Sequence, residues 1–431
     1  MRDTRNIILF SLSRLISEIG TSVFRFALSL YILDLTGSAT MFALILSFTF
    51  IPGVLVNIFA GVFVDRADKK KVLIYSDLLS GISIFLFMIL YHFQPTEIWL
   101  FAAYAIVLST FQAFFTLAVN ASVPNLVSEE KVAAVNSSNQ SIGALISIIG
   151  PVMGAVAYSM LGLGMIFLLD AISFILSGFL NMLLLFRKSE IDPDEPQKSY
   201  MESMKEVYRY IQDRAAIKYI LGIFVASNFV ITPAVSLVLP YIVYNQLKLS
   251  AYHLSYIEAA LAVGIIVGAL IVAVHKVNRF VINKIFILIQ LQALMIVLWV
   301  FPKFSFLPDG AVWLTLGYMG LLALTGIFNA MGNIPMISFV QLQIPERIRA
   351  SIFGVVGTVT TLAVPIGMWV YGAMLDIFDY SYILVASGLS LIVLGALAHR
   401  NRDLREFFRQ TPPAEPAPAG GQVESKTVEV N

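Results

Sequence analysis

Glu18 stands four residues after Arg14 and seven before Arg25, in an otherwise mostly apolar run over residues 7–33. On a helix these three charges share one face. A carboxylate in apolar surroundings keeps its proton, and a nearby guanidinium favours its release. The trio therefore suits proton coupling, with Glu18 as the leading carrier. The competing reading is a fixed Arg14–Glu18 ion pair one helical turn long. Two more carboxylates interrupt apolar sequence: Asp170 in LLDAISF and Glu258 in SYIEAAL. Asp170 reads first as an interhelical hydrogen-bonding group. Glu258 either titrates or reaches the outer interface. Both are secondary candidates for proton coupling, and Asp34 is placed at the outer mouth. A charge at bilayer depth costs roughly 2.5–3.5 kcal/mol on insertion scales unless it is paired or wet.

Polar residues recur in the same manner elsewhere. Arg14, Glu18, Ser22 and Arg25 form one set, and Gln112, Thr116 and Asn120 a second. Asn228, Thr232 and Ser236 form a third, and Thr325, Asn329 and Asn333 a fourth. Spacings of three or four put each set on one helix face. Each stripe needs partners or water rather than lipid beside it. Aromatic neighbours, Phe24, Phe115 and Tyr318 among them, suit a bulky amphipathic ligand better than a sugar or small ion.

The elements that hold these stripes follow from composition. The chain has 431 residues, 58% hydrophobic and 13% charged, with a mean hydropathy of +0.84. That leaves too little polar surface for a soluble domain of this length. Apolar runs near 20 residues match the bilayer core, and the absence of polar–apolar alternation argues against an outer-membrane β-barrel. Roughly twelve helices are expected, over 6–34, 40–64, 72–92, 98–126, 139–160, 163–186, 216–245, 252–274, 281–301, 311–341, 351–375 and 380–398. The fold class is thus all-α and polytopic. The first run is too long for a signal-peptide core and carries charges, so it is expected to be retained.

Outside the helices, only Lys248 and Lys303 fall in odd-numbered loops; the other basic residues lie in the even loops, the linker and the two tails, with Lys218 and Lys284 just inside the helices that follow the linker and an even loop. Cationic loops stay in the cytoplasm, so both termini are expected there. Residues 1–187 and 216–400 form two six-helix halves. Residues 188–215 are a cytoplasmic linker. Within it, 200–213 reads as an amphipathic helix with Met204, Val207, Tyr208 and Ile211 on one side, lying along the membrane surface. Residues 401–431 form a tail, Pro-, Ala- and Gly-rich and disordered after about 410.

Enzyme chemistry finds little here. There is no cysteine, and the four histidines make no metal pair at helical spacing. No His-Glu-x-x-His motif and no phosphate-binding glycine loop occurs. A cofactor, a metal and a nucleic-acid partner are not expected.

A dense patch of charge, GVFVDRADKKK, separates the second and third predicted helices, and Asp77 follows it closely. Gly61, Asp65, Arg66, Lys69 and Lys70 within it resemble the signature loop of the major facilitator superfamily. Asp68 stands where that pattern carries glycine. Asp65 is expected near the N-terminus of the third helix, where anions are favoured, and Asp65 and Arg66 are expected to latch a cytoplasmic gate. Gly150, Pro151 and Gly154, in GPVMGA, resemble the signature associated with exporters. The glycines share a face and allow either a bend or close packing. Residues 124–178 and the first helix further resemble the macrolide-efflux and enterobactin-exporter branch, although Thr21 stands where that branch often has an acid. The resemblance implies two pseudo-symmetric six-helix bundles around a cavity lined by helices one, four, seven and ten.

The expected function is proton-coupled export of bulky hydrophobic or amphipathic compounds by alternating access, with the proton gradient as energy source. The chain is expected to act as a monomer in the plasma or inner membrane. The alternatives are export of an endogenous siderophore or lipid, and a receptor or scaffold without turnover.

Overall fold

A computed structural model describes the backbone of residues 2–59, 67–186, 200–274, 281–282, 284–304 and 310–409. Every regular element among them is helical. In chain order they are α1 (Arg2–Thr36), α2 (Ala39–Ser47), α3 (Ile51–Phe59), α4 (Lys69–Phe93), α5 (Ile98–Leu126) and α6 (Glu129–Met182). After these come α7 (Tyr200–Gln212), α8 (Ala215–Pro233), α9 (Ala251–Ala273), α10 (Ile285–Leu298), α11 (Ala311–Gln343), α12 (Glu346–Ile377), α13 (Tyr380–Arg400) and α14 (Arg402–Arg409). Eleven rods are long and apolar enough to cross a membrane, counting α2 with the start of α3 as one. The rod over Ser141–Met182 breaks at Gly162, where φ is 71° and ψ 164°. It therefore crosses twice, which makes the expected twelve. An even number puts Arg2 and Arg409 on the same face, called here the terminal face.

Local chemistry sets the breaks. Gly37 turns the chain with φ at 60°, and the Ser38 side chain then accepts from the Met41 amide to start α2. Asp68 caps α4, its Oδ1 accepting from the amides of Lys70 and Lys71 at 3.0 and 3.2 Å. The residue that departs from the family pattern thus supplies the anion at this helix start. Beyond α8 the rod continues as two π-helical turns, Ala234–Val238 and Tyr241–Gln246. Pro233 and Pro240, which lack the donor an α-turn needs, stand just before them.

Packing sorts the crossings into two groups. Helices α1–α6 pack on one another, as do α8–α13. Two seams join the groups: α2 against α12, and α6 against α9. The second crossing of each group thus meets the fifth crossing of the other, a two-fold relation. Lipid supplies no hydrophobic drive between helices, so backbones must approach closely. A Cβ at Gly268 would stand 2.6 Å from the Ile327 carbonyl oxygen, so α9 and α11 touch there without side chains between them. Gly154 likewise packs against the Phe26 ring of α1, and a Cβ at Gly150 would overlap Ser22. For the two glycines of the exporter-like signature, close packing is the reading the structure supports.

Asp77 does not belong with the loop charges. It is 0% exposed inside α4, accepting from Ser177 Oγ at 2.5 Å and Asn181 Nδ2 at 2.8 Å. Asn181 in turn accepts from Ser13 Oγ at 3.0 Å, tying α1, α4 and α6 together. The linker helix forms as α7, but it packs on α8 and α12. Val207 and Ile211 are buried there, whereas Tyr208 is 67% exposed; these three do not share one buried side. Of the signature loop, Gly61, Asp65 and Arg66 lie outside the described residues, as does the tail over 410–431. Lys69 opens α4, and Lys70 Nζ donates to the Leu184 carbonyl at 2.8 Å within the same group.

Two predictions follow from the packing. Gly268→Val should destabilise the purified protein by about 1–3 kcal/mol through overpacking, read as a lower thermal midpoint in detergent. At the face opposite the termini, partial burial of Asp379 works against its ionisation. Hydrogen bonds from Lys303 and Ser381 nevertheless hold its carboxyl down at about 2. The folded state therefore binds this proton less readily than the unfolded chain. The contribution is full at neutral pH and lost as pH falls from roughly 4 towards 2. Asp379→Ala should lower the midpoint at pH 7 and make no difference near pH 2.

Candidate functional site

Two openings lie along the middle of the bundle, and Arg25 of α1 lines both. The first, about 260 Å³, sits inside the first group. Thr21, Phe24, Thr49, Tyr104, Gln112 and Thr116 contribute to its wall. The second, about 350 Å³, lies between the groups. Ser22, Ser29, Ser147 and Pro151 approach it from the first group, and Ser236, Pro240 and Glu258 from the second. Most of both linings is apolar, as a bulky ligand requires.

Charge in this place is explained by the openings. Arg25 is an exposed residue although it lies deep in a crossing, because its guanidinium meets cavity rather than lipid. Glu258, two turns into α9, faces the inter-group opening and makes no hydrogen bond or ion pair among the described residues. A cation on one group and an anion on the other thus border a single space. The Gln112 amide nitrogen is buried without a partner, a donor left over beside Arg25.

The other expected residues are placed as follows. Arg14 and Glu18 bond to each other, Arg14 Nε donating to Glu18 Oε1 at 2.8 Å with a second bond from Nη2. Neither lines the two openings, and both are partly buried. Asp170, on the second limb of α6, is 1% exposed and faces Gly20 of α1, taking a bond from the Tyr104 hydroxyl at 3.3 Å. Asn228 donates to the Phe224 carbonyl at 2.9 Å, and it and Thr232 are half-buried. Thr325 is buried in packing, its hydroxyl bonded to the Leu321 carbonyl. Asn329 and Asn333 are half-buried on α11 and border neither opening. The side chain of Asn120 lies outside the described residues. Phe115 and Tyr318 are core residues rather than cavity walls, and the Tyr318 hydroxyl reaches the Trp299 carbonyl at 2.8 Å. Tyr104, Thr21 and Thr49 were not legible as lining residues, because they belong to no polar stripe. Among the described residues, no three His, Asp or Glu side chains gather as metal ligands would.

Closure is visible at the face opposite the termini. Asp376, at the end of α12, receives the Ala39 amide at 2.8 Å, the Ser38 hydroxyl at 2.8 Å and the Thr40 amide at 3.1 Å. A carboxylate from one group therefore answers the unpaired amides at the start of a helix in the other. Asp34, at the end of α1, accepts from Tyr158 at 2.6 Å and from Tyr244 of the second group at 2.9 Å. Deeper in the same seam, Trp369 donates to Ser47 at 2.8 Å.

The family model described as Major Facilitator Superfamily matches residues 10–368. The chain belongs to that superfamily. It is therefore a membrane-embedded transporter of small molecules, a multi-pass protein of the cell membrane and not an enzyme. Macrolide efflux protein A of Streptococcus pyogenes is 23% identical over 404 residues, covering 91% of this chain and 95% of the relative. Among solved structures, the nucleoside transporter NupG superposes with a TM-score of 0.67 at 14% identity, over 94% of this chain and 100% of that one. A bacterial homologue of the iron transporter ferroportin, in its inward-facing state, superposes at 0.64 and 14% identity, over 92% and 99%. These two likenesses show the superfamily fold.

The closure predicts a labelling result. The chain has no cysteine, so single cysteines report cleanly. Asp376→Ala removes a helix-start anion worth about 1 kcal/mol, which is roughly a fivefold shift in the closed-to-open ratio. A cysteine at Thr40 should then react several-fold faster with a membrane-impermeant maleimide than it does with Asp376 intact.

Proposed function

We propose that this superfamily member is a proton-coupled exporter of bulky amphipathic compounds, macrolide-like molecules among them. One observation carries the reading: a largely apolar opening between the groups, bordered by Arg25 and by an unpaired Glu258. An apolar body can fill such a space while its polar group meets a charged wall. The relatives named as macrolide efflux proteins support the direction and the substrate class. The excess of Lys and Arg on the terminal side puts that face in the cytoplasm. The conformer closed at Asp34 and Asp376 is then the one loaded from inside, and the two groups rock about the cavity to release substrate outside. In this reading Glu258 carries the proton, since it borders the space that changes access. Glu18 stays paired with Arg14 in this conformer. The energy source is the proton gradient, no cofactor takes part, and the working unit is the monomer.

The test is substrate-dependent proton movement in liposomes under an imposed pH gradient, with a macrolide and a set of amphipathic dyes. Addition of substrate should dissipate the gradient through the natural protein. Glu258→Gln should still exchange substrate but move no protons. Loss of coupling in Glu18→Gln with normal coupling in Glu258→Gln would transfer the role to Glu18. Substrate movement without protons would overturn coupling itself. A deletion strain that stops secreting one metabolite, with unaltered drug tolerance, would replace drug export by export of an endogenous siderophore or lipid.

A further inference from the structure

A third opening of about 460 Å³ lies away from the central cavity, between α1 and the two limbs of α6. Val23, Met153, Val156 and Leu169 help to line it. Met153, Val156 and Leu169 are exposed apolar residues on membrane-crossing rods, so the opening faces hydrocarbon. On the first limb of α6, which carries Met153 and Val156, Ser147 and Pro151 border the inter-group cavity instead. One charged side chain reaches the lateral opening, that of Asp170. Gly20 makes room for it, because a Cβ there would stand 2.6 Å from Asp170 Oδ1.

Asp170 is poorly answered for a buried acid. Tyr104 donates to Oδ2 at 3.3 Å and Ser173 Oγ lies 3.5 Å from Oδ1, both long for bonds to a carboxylate. Arg25 acts on it only through space, and no cation stands within ion-pair distance of it among the described residues. A structural acid in lipid is usually better satisfied; Asp77 has donors at 2.5 and 2.8 Å.

We propose that this pocket binds a lipophilic amine drawn from the bilayer, with its ammonium on Asp170 and its apolar body along α6. The charge selects the class. A carboxyl group in a low-dielectric wall can pass its proton to an incoming amine and hold the ammonium so formed, whereas it offers an anionic amphiphile no such partner. A neutral chain would gain only the apolar walls. The incoming ammonium competes with Tyr104 for Oδ2, and the Tyr104 ring also lines the first central opening. The lateral site thus shares a wall with the transport cavity. The proposal concerns binding and stands apart from the direction and coupling of transport.

The experiment uses the full chain in phosphatidylcholine nanodiscs and a diazirine-bearing dodecyldimethylamine. The same chain as an alcohol and as a sulfate serves for comparison, and labelled residues are mapped by mass spectrometry. The amine should label residues from Met153 to Leu169 saturably, with competition by dodecyldimethylamine and none by dodecyl sulfate. Asp170→Asn should raise the half-saturating amine concentration roughly tenfold, the scale of a lost charge-assisted bond. Val156→Trp fills the opening without touching Asp170 and should abolish saturable labelling. Equal labelling by alcohol and amine would overturn the proposal, as would an unchanged half-saturation in folded Asp170→Asn. If Asp170→Asn does not fold, unchanged labelling of Val156→Trp overturns it.

Discussion

A charged group inside a bilayer survives only where something other than lipid touches it. This chain meets that constraint in several ways. Arg14 and Glu18 satisfy each other along one helix. Asp77 is sealed among hydroxyl and amide donors of α6. Arg25 and Glu258 are reached through an open space between the groups. The first two solutions are local, each made within the first group. The third depends on the two groups standing apart in the middle, so any motion that narrows the gap changes the surroundings of both charges together.

The same constraint brings backbones together within the groups and also at one seam, where a Cβ on Gly372 of α12 would stand 3.0 Å from the Ala39 carbonyl oxygen of α2. Within a group, contacts such as Gly268 on Ile327 bring backbones together, and an interface of that kind cannot slide without collision. Between groups, much of the described hydrogen bonding at one face falls on the carboxylates Asp34 and Asp376 and the donors they gather. Bonds to exposed carboxylates exchange readily with water, so such a closure can part at modest expense. Rigid-body rocking would part these exchangeable bonds together with the close Gly372 contact beside them.

How much of this was legible depended on whether a residue's role was local. The crossings were readable because each is a run of apolar side chains, and a bilayer accepts little else. Arg25, Ser22, Gln112, Thr116, Ser236 and Glu258 stood out as polar interruptions, and the structure sets them around the central openings. The same signal did not tell Thr325, which bonds its own helix, from a residue facing a cavity. A hydroxyl can satisfy itself four residues back, so spacing alone does not fix which way it looks. Asp77 was misplaced because adjacency in sequence joined it to the lysines before it, while its partners lie 100 and 104 residues away. Asp376 and Tyr244 carried no signal, since their meaning arises only when a second group of helices arrives beside the first.

The π-helical stretch beyond Pro233 has a mechanical meaning. Each wide turn holds one residue more than an α-turn of the same kind would, and that residue is a small store of slack. If the turn at Tyr241–Gln246 tightened to ordinary winding, everything after it would rotate by about 100° about the rod axis. Tyr244 would swing off Asp34, while Pro240 and Ser236, lower on the rod, would keep their places. A rod built this way can unlock its tip without disturbing its shaft.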